Sequence, residues 1–162
     1  MVSKVTSETY FFKYAFPCTQ VLLDQGKIDQ ATFQKLKLMH DTHQIPDRKT
    51  LENTYKSAFR RLKMIAKRKD KDYWDIEVIK KYFLEDHNIF INLGEGDYAN
   101  FPTELKELCK VYVAEIVDKN GDILTVRYPN TQTQSKVVGK ELPEAKVGDK
   151  VTIHLGFAVE IL

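Results

Sequence analysis

Taken as a string of apolar and polar positions, the chain changes period once. Over the first hundred residues apolar side chains recur at spacings of three and four, the mark of one helix face. From about residue 110 they alternate at two, as in half-buried strands. The clearest helical stripe is Leu51, Tyr55, Ala58, Phe59, Leu62, Ile65 and Ala66. It predicts one long helix over roughly 48–68, with Asp47 as its N-cap. Pro17 and Gly26 predict a short helix between them, because proline suits a first helical position and glycine the position past the last. Asp29 opens another helix, with Phe33, Leu36 and Met39 facing inward. Asp72 or Asp75 caps a further one carrying Ile76, Ile79 and Phe83, with Tyr82 and Leu84 beside them. Residues 92–102 hold Gly94, Gly96 and Phe101-Pro102, which is loop chemistry, and predict an interdomain linker.

Beyond the linker, strands are expected over Lys110–Val117, Ile123–Tyr128, Lys136–Val138, Lys150–His154 and Phe157–Ile161. Asn120-Gly121 predicts a type I′ hairpin turn between the first two, and Pro129–Gln134 a polar loop after the second. Five short strands in so few residues point to a closed barrel, which leaves no sticky edge. The fold class read from the pattern is α+β: a helical domain over residues 1–100, then a small OB-like β-barrel over residues 105–162.

Composition narrows the function classes. The chain is 43% hydrophobic and 11% aromatic, as globular domains are, and its formal net charge is only +2. The charge is nonetheless clustered. Between Lys56 and Lys71 the only acid is Asp70, while Lys56, Arg60, Arg61, Lys63, Lys67 and Arg68 lie off the apolar stripe. Such a face reads either as a solvated helix surface or as a contact for phosphate or an acidic partner. Cys18 and Cys109 are too few for a disulfide scaffold, and no apolar run is long enough to span a membrane. The expected location is the cytoplasm.

No nucleophile–base order, phosphate loop, dinucleotide fingerprint or zinc-protease motif occurs, so a non-enzymatic protein is expected. His40 and His43 flank Asp41 at a helix end, where charged imidazoles complement the helix dipole.

Residues 146–160 read Lys-Val-Gly-Asp-Lys-Val-Thr-Ile-His-Leu-Gly-Phe-Ala-Val-Glu. This segment closely resembles the end of the HypC/HupF hydrogenase-maturation chaperones, and the hairpin from Val113-Ala114-Glu115-Ile116 to Val126 is similar to that family's first hairpin. The resemblance covers residues 109–162, and its specific part is the Ile-His-x-Gly-Phe-Ala-Val run. It implies a small OB-like barrel that carries rather than catalyses. Family members bind a maturation scaffold protein and a metalloenzyme precursor, and help deliver an iron bearing cyanide and carbonyl ligands. The family's histidine falls on His154 and its cysteine on Cys109, just before the first strand; Gly156 and Phe157 complete the partner- or metal-binding set.

A thiolate and an imidazole suit iron or zinc, yet two ligands do not close a site, so any metal here would take further ligands from a partner. Cys109 also reads as a small buried hydrophobe, and His154 as an imidazole satisfied by a backbone hydrogen bond. The competing reading is a nucleic-acid-binding protein, with the barrel and the Lys56–Lys71 helix gripping phosphates and Tyr112 and Tyr128 available for stacking.

Overall fold

A computed structural model describes residues 5–162 and shows a mixed α+β chain that divides into two compact units, one ending at Asn100 and the other starting at Phe101. No helix among the described residues is long and apolar enough to cross a membrane.

The first unit is helical. Helix α1 (Ser7–Ala15) starts where the Thr6 hydroxyl accepts from the Thr9 amide at 3.1 Å. It inserts Tyr10, Phe11, Phe12 and Tyr14 into the core. Phe11 is the hub of that core, with ring centroids 4.6 Å from Phe59, 5.6 Å from Tyr55, 5.7 Å from Phe83 and 6.1 Å from Trp74. Such tilted and edge-on pairs suit the ring quadrupoles and add to the burial itself. Pro17 lies inside a single 3-10 turn, Phe16–Cys18, so α2 (Thr19–Asp24) begins two residues after it. Helix α3 (Gln30–Asp41) is capped by Asp29, which accepts from the Thr32 amide at 2.8 Å; Leu36 is its fully buried residue.

The long helix expected over 48–68 is two helices. Asp47 does cap the first, α4 (Arg48–Thr54), accepting from the Thr50 amide at 2.8 Å. The chain then leaves helical geometry at Tyr55 (φ −104°, ψ 53°) before α5 (Lys56–Lys69). Two polar contacts accompany the break. The Thr54 hydroxyl donates back to the Thr50 carbonyl at 2.8 Å, a bond that bends helices. The Tyr55 hydroxyl lies 2.7 Å from the Thr19 hydroxyl deep in the core.

Helix α6 (Ile76–Lys81) is capped by Asp75, while Asp72 turns the preceding loop by accepting from the Trp74 amide. It runs through a π-helical turn, Tyr82–Asp86, into α7 (His87–Asn92). Tyr82 and Phe83 are buried there and Leu84 faces solvent.

Most of the supposed linker, residues 92–100, belongs to the helical unit, and Phe101 and Pro102 already belong to the second. Residues Gly96–Asn100 form a 3-10 turn with Tyr98 buried, and Glu95 and Asp97 reach back to α5 and to Lys27. The acids flanking the two glycines are anchors, which loop composition alone conceals.

The second unit opens with α8 (Thr103–Cys109), which the strand pattern did not reveal, and continues with β1 (Val111–Asn120), β2 (Ile123–Arg127), β3 (Gln134–Val138), β4 (Lys150–His154) and β5 (Phe157–Ile161). Strand β1 pairs antiparallel with both β2 and β4, bulging between Ile116 and Asp118. The pairings follow the order β1-β2-β3-β5-β4 and close on themselves, β3 meeting β5 in a single parallel pair, Val138 with Phe157. Ala114, Ile116, Leu124, Val126, Val137, Val151, Ile153 and Ala158 point inward, and Leu142 and Ala145 from the β3–β4 connection join them. The first hairpin is where the sequence puts it, but Asn120 pairs with Ile123, so the loop residues are Gly121 and Asp122. Only Gly121 takes a positive φ (60°), the pattern of a type II′ turn in place of type I′.

Candidate functional site

His154 is the last residue of β4 and is completely buried. It pairs across β1 with Val111 and across β5 with Phe157. Between His154 and Phe157 only Leu155 and Gly156 remain, and both have positive φ, 47° and 80°. That is the type I′ pattern, whose twist matches the flanking strands. A Cβ on Gly156 would meet nothing within 4 Å, so the glycine is needed for its backbone angle and not for space. Its carbonyl accepts from the Val138 amide at 2.9 Å, next to the Val138–Phe157 pair. The His-Leu-Gly-Phe tip thus sits at the seam where the sheet closes.

Cys109 ends α8, two residues before Val111, the register partner of His154. The topology therefore brings the cysteine and the histidine to one end of β1 and β4. The thiol is buried, and burial pushes its pKa up to about 11, so it is protonated at neutral pH. Among the described residues no group of three or more His, Cys, Asp or Glu side chains is arranged to hold a metal ion. Cys109 and His154 by themselves do not fit a metal centre; a metal would have to displace the thiol proton and bring ligands from outside the chain.

On the same unit, Val111, Tyr112, Val113, Tyr128, Pro129, Asn130, Thr131 and Thr133 line a groove of about 480 Å³. The rings of Tyr112 and Tyr128 meet edge-on at 5.8 Å. Tyr112 donates to Glu107 Oε2 at 2.6 Å, and the Tyr128 hydroxyl lies 3.0 Å from that of Ser135. Both rings are therefore fixed.

The basic residues of α5 divide into two sets. Arg61 is 3% exposed: Nε donates to Glu95 Oε2 at 2.7 Å, Nη1 to the Tyr82 hydroxyl at 3.3 Å, and the guanidinium lies 4.4 Å from the Tyr98 ring centroid. It is a core residue, not part of a surface. Arg60 is half-exposed and also bound to Glu95, through both Nη atoms. Lys56, Arg60, Lys63 and Lys67 line one groove with Glu52, Asn53, Phe59 and Met64, and Arg68 is exposed beyond it.

Sequence reasoning missed Leu155 and Val138. Leu-Gly lacks the Asn or Asp that usually announces a type I′ turn, although the expected strand ends at His154 and Phe157 already left a two-residue loop. No sequence signal marks Val138 as the closing pair. Compared with protein-family models and with curated proteins, the chain has no match in either.

Proposed function

We propose that the chain is a non-enzymatic assembly protein of the cytoplasm whose second unit is an OB-like barrel that docks a protein partner, in the manner of the HypC/HupF chaperones, through the tip His154–Phe157. The observation that carries this reading is the double positive-φ turn at Leu155-Gly156, set over a fully buried His154 at the seam of the sheet. It supports a rigid, preformed corner, and preorganised corners lose little freedom on binding. The strand order β1-β2-β3-β5-β4 supports the OB-like description. Docking is favoured over metal carriage by this chain alone, because Cys109 and His154 supply at most two ligands and among the described residues no third His, Cys, Asp or Glu joins them in a group that could hold a metal. Iron would then be cargo of the complex, held with ligands the partner brings.

The test uses the full chain and a purified hydrogenase-maturation scaffold protein. A stable complex on size exclusion, lost in Leu155→Glu but kept in Cys109→Ala, supports docking. No complex with either the scaffold or a metalloenzyme precursor overturns it. Anaerobic purification followed by infrared spectroscopy reads the cargo separately: cyanide and carbonyl bands that vanish in Cys109→Ala would restore the carrier role.

A further inference from the structure

Helix α5 contains no acidic residue, and its exposed cations are not scattered. Lys56, Lys63 and Lys67 fall within about 40° of one another around the helix, and the row extends about 16 Å along it. They face one groove of about 610 Å³. None of the three is in an ion pair among the described residues. Glu52 shares the groove, but its carboxylate accepts from Trp74 Nε1 at 3.0 Å and from the Tyr73 hydroxyl. Arg60, in the same row, has its charge met by Glu95. Three lysines against the single carboxylate of Glu52 leave the groove net positive, on a helix that buries Arg61, Leu62, Ile65 and Ala66 on its other side.

We propose that this face of α5 is a sequence-independent contact for the phosphate backbone of nucleic acid, independent of the barrel's docking role. Charge complementarity selects a polyanion, and the surroundings select this one. A protein partner is usually anchored by aromatic or aliphatic side chains in the centre of the patch. In this groove Phe59 is buried and Met64 is the one apolar side chain with substantial exposure. Phosphates need no such anchor, and 16 Å spans about five 3.4 Å backbone steps of one strand. Asn53 and the lysines can bond phosphate oxygens. The one aromatic among the groove's lining residues, Phe59, is buried, and the half-buried Tyr73 ring beside the groove carries Lys63 Nζ 5.1 Å from its centroid, so no open platform is left with which to read bases.

The experiment measures fluorescence anisotropy of labelled single-stranded and duplex oligonucleotides, two unrelated sequences of each, against the full chain. Three phosphate contacts predict an affinity loss of about 20- to 40-fold between roughly 50 and 200 mM salt. The triple variant Lys56→Gln, Lys63→Gln, Lys67→Gln should bind at least about tenfold more weakly at the lower salt and lose most of that salt dependence. Lys136→Gln with Lys150→Gln, on the barrel, should bind as the parent does. A circular dichroism spectrum unchanged in the triple variant shows that the loss is not unfolding; should it change, the same readout is taken on Lys56→Gln and Lys67→Gln singly. Equal affinity for unrelated sequences supports the proposal, and the better-bound strand form identifies the natural target. It is overturned by negligible binding at low salt, by binding that survives the triple variant, or by preference for polyglutamate over every oligonucleotide.

Discussion

Arg61 Nε donates to Glu95 Oε2 across 2.7 Å, joining residues 34 apart in sequence and fastening the loop after α7 onto the middle of α5. With Tyr98 over the same guanidinium and Asp97 bonded to Ser57 and Lys27, this contact turns an apparent linker into the last layer of the helical unit. Removing Glu95 takes the bonded carboxylate from a buried cation and leaves it the Tyr82 hydroxyl and the Tyr98 ring. Glu95→Ala should lower the stability of the unit by about 2–3 kcal/mol, read as a drop in urea midpoint. Arg68→Ala, on the exposed side of the same helix, should stay within about 0.5 kcal/mol of the parent.

The same carboxylates predict an acid response. The arginines hold Glu95 below the usual carboxylate range, and Lys27 and Ser57 do so for Asp97. A pKa depressed on folding gives stability that is complete above the unfolded value, near 4, and is lost as pH falls through the folded value. Urea midpoints should therefore hold between about pH 7 and 5 and decline below about pH 4. Glu8, Asp29 and Asp47 are lowered too, so the difference between parent and Glu95→Gln isolates this site. If that difference is independent of pH, Glu95 is not held as described.

Cys109 should resist modification. With its pKa pushed up to about 11, almost no thiolate exists at pH 8, and the side chain is buried. Limited iodoacetamide treatment followed by peptide mass spectrometry should find Cys18, half-buried, labelled well before Cys109. In urea both should label at similar rates. Rapid labelling of Cys109 in the folded chain would contradict the burial and reopen the metal-ligand reading.

The tip carries its own test. Gly156→Ala forces a Cβ into left-handed geometry and should cost about 1–2 kcal/mol, whereas Gly156→Asn should cost less, since asparagine visits that region more readily. Nothing crowds the site, so a loss much larger than this would mean the turn, not just its angle, has been rebuilt.

Local signals were legible from the sequence. Asp29 and Asp47 cap helices because a short acceptor before an apolar period satisfies the first amides, and the change of period to two marks the strands. The candidate tip was visible as Gly156 between two strand patterns. What escaped depends on distant partners. Arg61 lies off the apolar stripe on a wheel, and it is buried because Glu95, the Tyr82 hydroxyl and the Tyr98 ring meet its guanidinium. The break at Tyr55 coincides with a hydrogen bond to Thr19, 36 residues earlier, which no local pattern announces. Helix α8 is a single short amphipathic stretch before a strand, too brief for periodicity to separate from a loop.

The β3–β5 closure rests on one pair, and the Val138 amide is bonded to the carbonyl of the very glycine that shapes the tip. Whatever clasps Leu155–Phe157 must therefore also govern how often the two strand ends part. Deuterium uptake at Val138 becomes a remote gauge of occupancy, slowing when the corner is held and quickening when a ligand pries it outward.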